Sequence, residues 1–218
     1  MATTALVYRE NVPNGRRPQA VVVALHPEGH DEREAEARLS ELKDDYHIIA
    51  PRAWRALNPR MYGPGENNYF AWFFMFRPDQ PEPATFGDSL FQLEQFIHDV
   101  RERVPDVPVI LAGWGQGAIL AITLAGVIPE FLDGVYAVDG FLPSISGWSL
   151  PSSDLGRLPI ALAYSAGSGR ERLHGSQTRA ALTGRGAAVG IEPADARSIH
   201  RWVQNISCRT RHSLAEAS

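Results

Sequence analysis

Four apolar runs rich in β-branched residues constrain the fold of this chain more than any other feature. They occupy residues 20–25 (AVVVAL), 107–112 (VPVILA), 134–138 (GVYAV) and 159–164 (PIALAY). Continuous runs of this length are typical of strands that are buried on both faces, as in parallel sheets. Segments with helical periodicity lie between them, so the sequence predicts an α/β fold with a mostly parallel central sheet and helices on both faces.

Weaker patterns complete this prediction. Further strands are predicted at residues 3–8, 47–50 and 187–192, with the first at an edge of the sheet. Helices are predicted, in chain order, at residues 31–42, 85–104, 116–127, 176–183 and 194–206. Ligands of such sheets bind beyond the carboxyl ends of the strands, so the residues that follow each strand are the first candidates for a functional site.

The length of 218 residues suits one domain, which we place at residues 1–206. A long irregular segment at about residues 51–84 contains the aromatic run YFAWFFMF at 69–76, and we interpret it as a lid-like loop. Residues 207–218 are predicted to form a flexible tail.

Composition narrows the classes of partner. The formal net charge is −4, so no nucleic-acid partner is expected. No apolar run is long enough to span a bilayer, and the first residues lack the pattern of a signal peptide. A single cysteine, Cys208, excludes a disulfide framework. We therefore expect a soluble cytoplasmic protein that binds a small molecule and no membrane; a homodimer is compatible with the sequence.

The sequence GWGQG at residues 113–117 joins the run at 107–112 to an apolar helix. The pattern G-x-S-x-G between a strand and a helix is a nucleophile elbow. Its middle residue here is Gly115, which has no nucleophile but tolerates the strained backbone of such a turn.

The same turn has an alternative interpretation as a dinucleotide site. Gly113, Gly115 and Ala118 fit G-x-G-x-x-A, and Asp133 follows at about the distance of the ribose-binding acid. Trp114 would crowd the approach of a pyrophosphate, so we expect no cofactor.

Six segments together carry a family resemblance: 22–32 (VVALHPEGHDE), 50–52 (APR), 67–73 (NNYFAWF), 86–97 (FGDSLFQLEQFI), 111–125 (LAGWGQGAILAITLA) and 140–143 (GFLP). They resemble the phospholipase/carboxylesterase group of α/β-hydrolases, which includes the acyl-protein thioesterases. The resemblance covers most of the chain and implies the α/β-hydrolase fold. It also implies a serine, aspartate and histidine as catalytic groups.

At the matching positions this sequence departs from that triad. Gly115 stands in the serine's place, Ser168 in the place of the acid and Arg197 in the place of the histidine. An engineered knockout would change the serine alone, so we interpret the three departures as a natural loss of the triad.

The resemblance also implies that an oxyanion site survives. Its donors would be the amide of Gln116, after the elbow, and a second amide near Glu28 in the loop after the first buried strand. That loop also carries His26 and His30, and each of these three side chains is a candidate general base. The alternative is that His26 is structural and the others are solvated. The two histidines are poorly placed to share a metal ion, and we expect none.

Asp139 directly follows the run at 134–138 and is a further candidate base. The alternative is that it caps the next turn through Asx-type hydrogen bonds. Arg197 is a candidate for binding a carboxylate or polarising a carbonyl. His174 and His200 are expected on the surface.

The substrate pocket is predicted to be mostly aromatic. Its expected lining is Asn68, Tyr69, Trp72, Phe73, Trp114 and Gly115. Such a pocket suits a small hydrophobic or aromatic carbonyl compound.

Three functions remain open from the sequence. The first is an enzyme that performs elimination, isomerisation or cyclisation of a carbonyl compound without a serine nucleophile. The second is a catalytically inactive protein that binds a ligand. The third is an esterase-like hydrolase that activates water directly.

Overall fold

The computed structural model describes residues 6–58, 69–77, 79–152 and 154–216. Its strands are β1 (Tyr8–Asn11), β2 (Val21–Leu25), β3 (His47–Pro51), β4 (Arg55–Ala56), β5 (Phe70–Ala71), β6 (Met75–Arg77), β7 (Gln80–Pro81), β8 (Val109–Trp114), β9 (Gly134–Val138), β10 (Pro159–Tyr164) and β11 (Ala188–Pro193). The α-helices are α1 (Glu32–Arg38), α2 (Pro83–Arg103), α3 (Gln116–Ala125), α4 (Ser176–Thr183) and α5 (Ala196–Glu216).

Seven of these strands form the central sheet in the order β1-β3-β2-β8-β9-β10-β11. Strand β1 is antiparallel to β3, and the other pairs are parallel. The strands β2, β8 and β9 lie next to one another, so Leu25, Trp114 and Val138 end at the same edge. This confirms the predicted fold and brings the loops after these strands together.

Apolar side chains on the two faces of the sheet form two core layers. Helices α2, α3 and α4 cover one face, where Phe96, Leu120 and Leu182 are buried. Helices α1 and α5 cover the other face, where Leu39 and Val203 are buried. Because both faces are covered, the inner strands are apolar throughout, as the continuous runs predicted.

Local signals determine where two of the helices begin. Asp31 precedes α1, and its carboxylate accepts hydrogen bonds from the amides of Arg33 and Glu34. Glu82 precedes α2 in the same way, and Pro83 occupies the first position, where its missing N–H costs nothing. Both helices therefore start beside loops at the carboxyl edge of the sheet.

Three elements differ from the sequence prediction by more than two residues. The edge strand comes later, at Tyr8–Asn11 rather than residues 3–8. Helix α1 ends at Arg38, and a separate 3₁₀ turn, Ser40–Leu42, follows it. Helix α5 continues to Glu216, where a flexible tail from residue 207 was expected. Ser207 is fully buried, and its hydroxyl donates to the carbonyl of Val203. Packing therefore stabilises the helix beyond residue 206.

The segment predicted as a lid-like loop contains short antiparallel pairs. Strand β4 pairs with β5, and β6 pairs with β7 as a hairpin. The aromatic residues of this segment differ in burial. Trp72 and Phe73 are fully buried, whereas Phe74 and Phe76 are half exposed or more. None of the helices in the described part of the chain is both long and apolar enough to cross a membrane.

Candidate active site at the carboxyl edge

A sharp turn at Gly115 connects β8 to α3. Its dihedral angles are φ 53° and ψ −115°, a region that L-residues rarely adopt. The amide of Gly115 donates to the carbonyl of Val138 (2.9 Å), and its own carbonyl accepts from Ile119 (3.1 Å). The backbone therefore has the strained strand–turn–helix geometry that the GWGQG sequence predicts.

The flanking glycines allow the helix to sit directly on the strands. A Cβ atom at Gly113 would lie 2.5 Å from the carbonyl oxygen of Gly117. A Cβ atom at Gly117 would lie 2.2 Å from the carbonyl oxygen of Leu25. Neither position can accept a side chain, so both glycines are required by close approach of the backbone.

The space above Gly115 is closed on one side by Pro27, in the loop after β2. A Cβ atom at residue 115 would lie 3.1 Å from the Cβ atom of Pro27. The proline thus occupies part of the volume that a side chain at the elbow would need.

Gln116 supplies the amide expected to bind an oxyanion. As the first residue of α3 it has no intrahelical carbonyl partner for its N–H, and the helix dipole favours negative charge there. Its buried side chain is fixed, because Oε1 accepts from the amide of Trp72 (3.0 Å) and Nε2 donates to the carbonyl of Phe73 (2.9 Å). The same Nε2 donates to Oε2 of Glu28 (3.0 Å).

Glu28 brings an ionisable side chain from the loop after β2 into contact with the elbow residues. It is exposed, and its carboxylate reaches α3 through Gln116. Next to it, Gly29 donates its amide to the carbonyl of Phe70 (2.9 Å) with a φ of 77°. This bond fixes the loop against the aromatic segment.

His30 points away from this contact. Its Nδ1 lies 3.0 Å from the carbonyl oxygen of Glu28, and its Nε2 lies 3.1 Å from the carboxylate of Glu34 on α1. Arg38 binds the same carboxylate (2.6 Å). The structure therefore links His30 to Arg38 through the carboxylate of Glu34 on α1.

His26 is completely buried, and both of its ring nitrogens are engaged. Nδ1 lies 2.8 Å from the carbonyl oxygen of Pro27, and Nε2 lies 3.0 Å from the amide of Ala53, which donates to it. The ring stacks on Trp72, whose indole N–H donates to the carbonyl of His26. Burial lowers the pKa of His26 to about 4, so the ring stays neutral and holds the loop. This geometry supports the structural alternative and leaves the ring no free nitrogen for a general base.

Asp139 directly follows β9, whose last residue, Val138, pairs with Trp114 and accepts from the amide of Gly115. The φ of Asp139 is 56°, in the left-handed region. Its amide donates to the carbonyl of Ala163, and its Oδ1 accepts from the amide of Ser165 (2.9 Å). The carboxylate therefore holds the loop after β10, 26 residues further along the chain, and this bond differs from the local Asx-type cap of the next turn that was the alternative.

The other positions implied by the family resemblance are on the surface. Ser168 is exposed in a turn closed by its amide and the carbonyl of Ser165. Arg197 is exposed in the first turn of α5. These positions hold neither an imidazole nor a carboxylate.

The predicted aromatic pocket is not one cavity. Trp72 and Phe73 belong to the core layer on the α2 and α3 face, where Phe73 packs edge-on against Phe86. Trp114 lies in the layer on the opposite face. It lines a cavity of about 180 Å³ with, among others, Arg38, Tyr136 and Asp195.

Trp72 and Phe73 are therefore core residues, and Trp114 lines a separate cavity. Strand periodicity explains the separation, because consecutive residues such as Trp114 and Gly113 face opposite sides of a sheet. Tyr69 is partly buried, and its carbonyl accepts from the amide of Leu57. Asn68 lies outside the described residues.

One cluster at the same edge was missed from the sequence. His174, expected on the surface, is largely buried; its ring stacks on Phe141 (4.4 Å between centroids), and its Nε2 lies 3.0 Å from the carboxylate of Asp79. Arg170 lies over the same ring (5.4 Å). The contributing loops are far apart in sequence, so no spacing rule could have joined them.

Two further features bear on ligands. A cavity of about 700 Å³ lies at the opposite edge of the sheet, between the start of β10 and α5. Within the described parts of the chain, no three His, Cys, Asp or Glu side chains lie close enough together to hold a metal ion.

Comparisons with known proteins agree with this architecture. A profile of the phospholipase/carboxylesterase family matches residues 8–177. No curated protein matches the chain in sequence.

Solved structures share the fold at low sequence identity. A carboxylesterase from Mesorhizobium loti is 18% identical, with a TM-score of 0.76, over 94% of this chain and 97% of that one. A carboxylesterase from Bacillus cereus is 12% identical, with a TM-score of 0.69, over 89% and 87%. Acyl-protein thioesterase 2 from Zea mays is 16% identical, with a TM-score of 0.68, over 92% and 99%. At these identities the likeness concerns the fold.

Proposed function

Because this chain belongs to the phospholipase/carboxylesterase family, we propose that it keeps the family's carbonyl-binding site but moves a proton instead of transferring an acyl group. One observation carries the proposal: the turn at residue 115 keeps its strained geometry while the residue itself has no side chain. A strained turn without a nucleophile still presents the amide of Gln116 to a carbonyl oxygen.

The proposed reaction begins at a carbon next to the carbonyl group of a small hydrophobic compound. Asp139 takes the proton, and the negative charge that develops on the carbonyl oxygen is stabilised by the amide of Gln116. In an isomerisation the proton returns to a different carbon; in an elimination a leaving group departs with the electron pair. Neither outcome requires a covalent enzyme intermediate.

The contacts of Asp139 fit this role. One carboxylate oxygen is held by the amide of Ser165, which fixes the orientation of the group. The pairing of β8 with β9 ends at Trp114 opposite Val138, and Gly115 and Asp139 are the residues that follow these two, which supports the proposal. Glu28 plays a different part in the proposal, since it anchors the side chain of Gln116 and thereby the start of α3.

Exchange of carbon-bound hydrogen provides the test. The ketone 4-phenylbutan-2-one, dissolved in D₂O with the protein, is expected to exchange the hydrogens next to its carbonyl faster than in buffer, as followed by proton NMR. Asp139→Asn should lower the protein-dependent rate by about 100-fold or more. The control Asp106→Asn changes an exposed carboxylate before β8, at the opposite edge, and should leave the rate unchanged.

A second function is favoured by a different observation. The ring nitrogens of His26 and one oxygen of Asp139 are already engaged in hydrogen bonds. This arrangement also suits a protein that binds carbonyl compounds without converting them. Binding of the ketone with no exchange at any pH from 6 to 9 would establish this second function and overturn the first.

A further inference from the structure

The cluster around Phe141 lies at the same edge as Gly115. Phe141 comes two residues after Asp139, and the intervening Gly140 packs so tightly on α3 that a Cβ atom there would lie 2.6 Å from the Cβ atom of Ala118. Ala118 is in the first turn of α3. Phe141 therefore directly follows a backbone contact with the start of the helix whose amide faces the proposed carbonyl site, and it is buried in the core layer on that face.

Arg170 and His174 reach this ring from the loop after β10. Between them the chain forms a π-helical turn, Glu171–Gly175, a rare conformation that is frequent at functional sites. The guanidinium lies 5.4 Å and the imidazole 4.4 Å from the centroid of Phe141. A single aromatic ring thus orients two basic side chains.

The guanidinium of Arg170 is incompletely satisfied. Its Nη1 atom is buried, and no hydrogen-bond acceptor among the described residues reaches it. A buried polar nitrogen without an acceptor is costly, and the cost is larger for a charged group. The carboxylate of Asp79 lies 3.0 Å from Nε2 of His174, yet that nitrogen is also buried without a hydrogen bond among the described residues.

We propose that Arg170 binds a carboxylate of the ligand, so that the substrate class is an oxo acid rather than a neutral ketone. A carboxylate offers two oxygens to the planar fork of a guanidinium and would supply the missing acceptor. His174, whose buried Nε2 has no hydrogen-bond acceptor among the described residues, adds a second donor on the same ring. This inference rests on the proposed function, because it assigns the second group of the compound bound at Gln116.

Two probes that differ in one group test the proposal. The anion 4-phenyl-2-oxobutanoate carries a carboxylate where 4-phenylbutan-2-one carries a methyl group. Isothermal titration calorimetry with the full chain should show that the anion binds at least about tenfold more tightly. The preference should fall to nearly onefold in Arg170→Gln, while the affinity for the ketone stays the same.

Two further variants sharpen the result. Arg170→Lys keeps the charge but not the planar fork, and it should retain only part of the preference. Arg179→Gln, which removes an exposed arginine on α4, should retain all of it. The thermal midpoint of each variant reports whether the chain is folded.

The outcomes separate this inference from the proposed function. Equal affinity of the natural chain for both probes, no binding of either, or an undiminished preference in folded Arg170→Gln overturns the carboxylate site. A preference that depends on Arg170 without any hydrogen exchange supports the carboxylate site and overturns proton transfer.

Discussion

The Cβ atom that a side chain at residue 115 would carry lies 3.1 Å from the Cβ atom of Pro27. The ring of a proline fixes its backbone, so Pro27 has little freedom to withdraw. Gly115 and Pro27 therefore form a matched pair, in which the bare elbow leaves room for a proline in the loop after β2.

This pairing predicts an energetic coupling. Gly115→Ala should destabilise the protein by about 2–3 kcal/mol, from backbone strain and overlap together. In a Pro27→Gly background the same change should cost about 1 kcal/mol less. Urea unfolding of the four proteins of this double-mutant cycle measures the difference, and additive effects would show that the two residues do not compete for space.

Gly15→Ala is the control for that cycle. Its φ is 67°, and a Cβ atom there would meet nothing within 4 Å. It should therefore report backbone strain of about 1–2 kcal/mol without any overlap.

Restoring a serine should not restore an esterase. Gly115→Ser, alone or with Pro27→Gly, is expected to hydrolyse p-nitrophenyl acetate at a rate that exceeds the rate of the natural chain by no more than about tenfold. The reason is that the family resemblance implies Ser168 and Arg197 at the positions of the acid and the base, and both residues are exposed. A burst of p-nitrophenolate from either variant, measured by stopped-flow absorbance, would contradict this assignment of the site.

Two substitutions at Asp139 separate its structural role from its chemical one. Asparagine keeps an oxygen for the amide of Ser165 and tolerates the φ of 56°, so Asp139→Asn should lose less than about 1 kcal/mol of stability. Asp139→Ala loses both features and should lose about 2 kcal/mol. Thermal unfolding gives the stabilities, and similar losses in both variants would indicate that the Ser165 contact contributes nothing.

Protonation of His26 should limit stability in mild acid. In the unfolded chain its imidazole has the ordinary pKa of 6.5, whereas burial lowers the pKa in the folded protein to about 4. Between these values the unfolded chain binds more protons, so this contribution is complete above pH 6.5 and is lost as the pH falls toward 4.

Urea unfolding should therefore show a loss of about 2 kcal/mol between about pH 7 and pH 5 from His26 alone. His26→Gln should remove this part of the pH dependence, with His200→Gln as the control for losing one histidine. If His26→Gln is too unstable, NMR titration of the natural chain decides, because a His26 ring that gains its proton near pH 6.5 would contradict the burial argument.

Much of the fold was predictable because its signals are local. The β-branched runs of β2, β8, β9 and β10 and the cap at Asp31 each act within a few residues. The end of α5 was not predictable in this way, because the complete burial of Ser207 is a property of the folded protein that its polar neighbours in sequence do not signal.

The site was predictable only in part for the same reason. The turn at Gly115 follows from what its neighbours in sequence require, whereas the bond of Asp139 with Ser165 joins two loops 26 residues apart. The burial of Trp72 and Phe73, the contact of Glu28 with Gln116, and the cluster of Arg170 with His174 depend on loops that meet only in the folded protein. Consecutive side chains on a strand point to opposite faces of the sheet. This rule alone would have removed Trp114 from the predicted aromatic pocket.

The central claim is that this carbonyl site moves protons and does not cleave acyl groups. Ethyl phenylacetate carries both an ester and exchangeable hydrogens next to its carbonyl, so one NMR sample in D₂O follows the two reactions together. We predict that the natural chain accelerates exchange while the ester stays intact, and that Asp139→Asn abolishes the acceleration. Release of ethanol by the natural chain without faster exchange would contradict the claim.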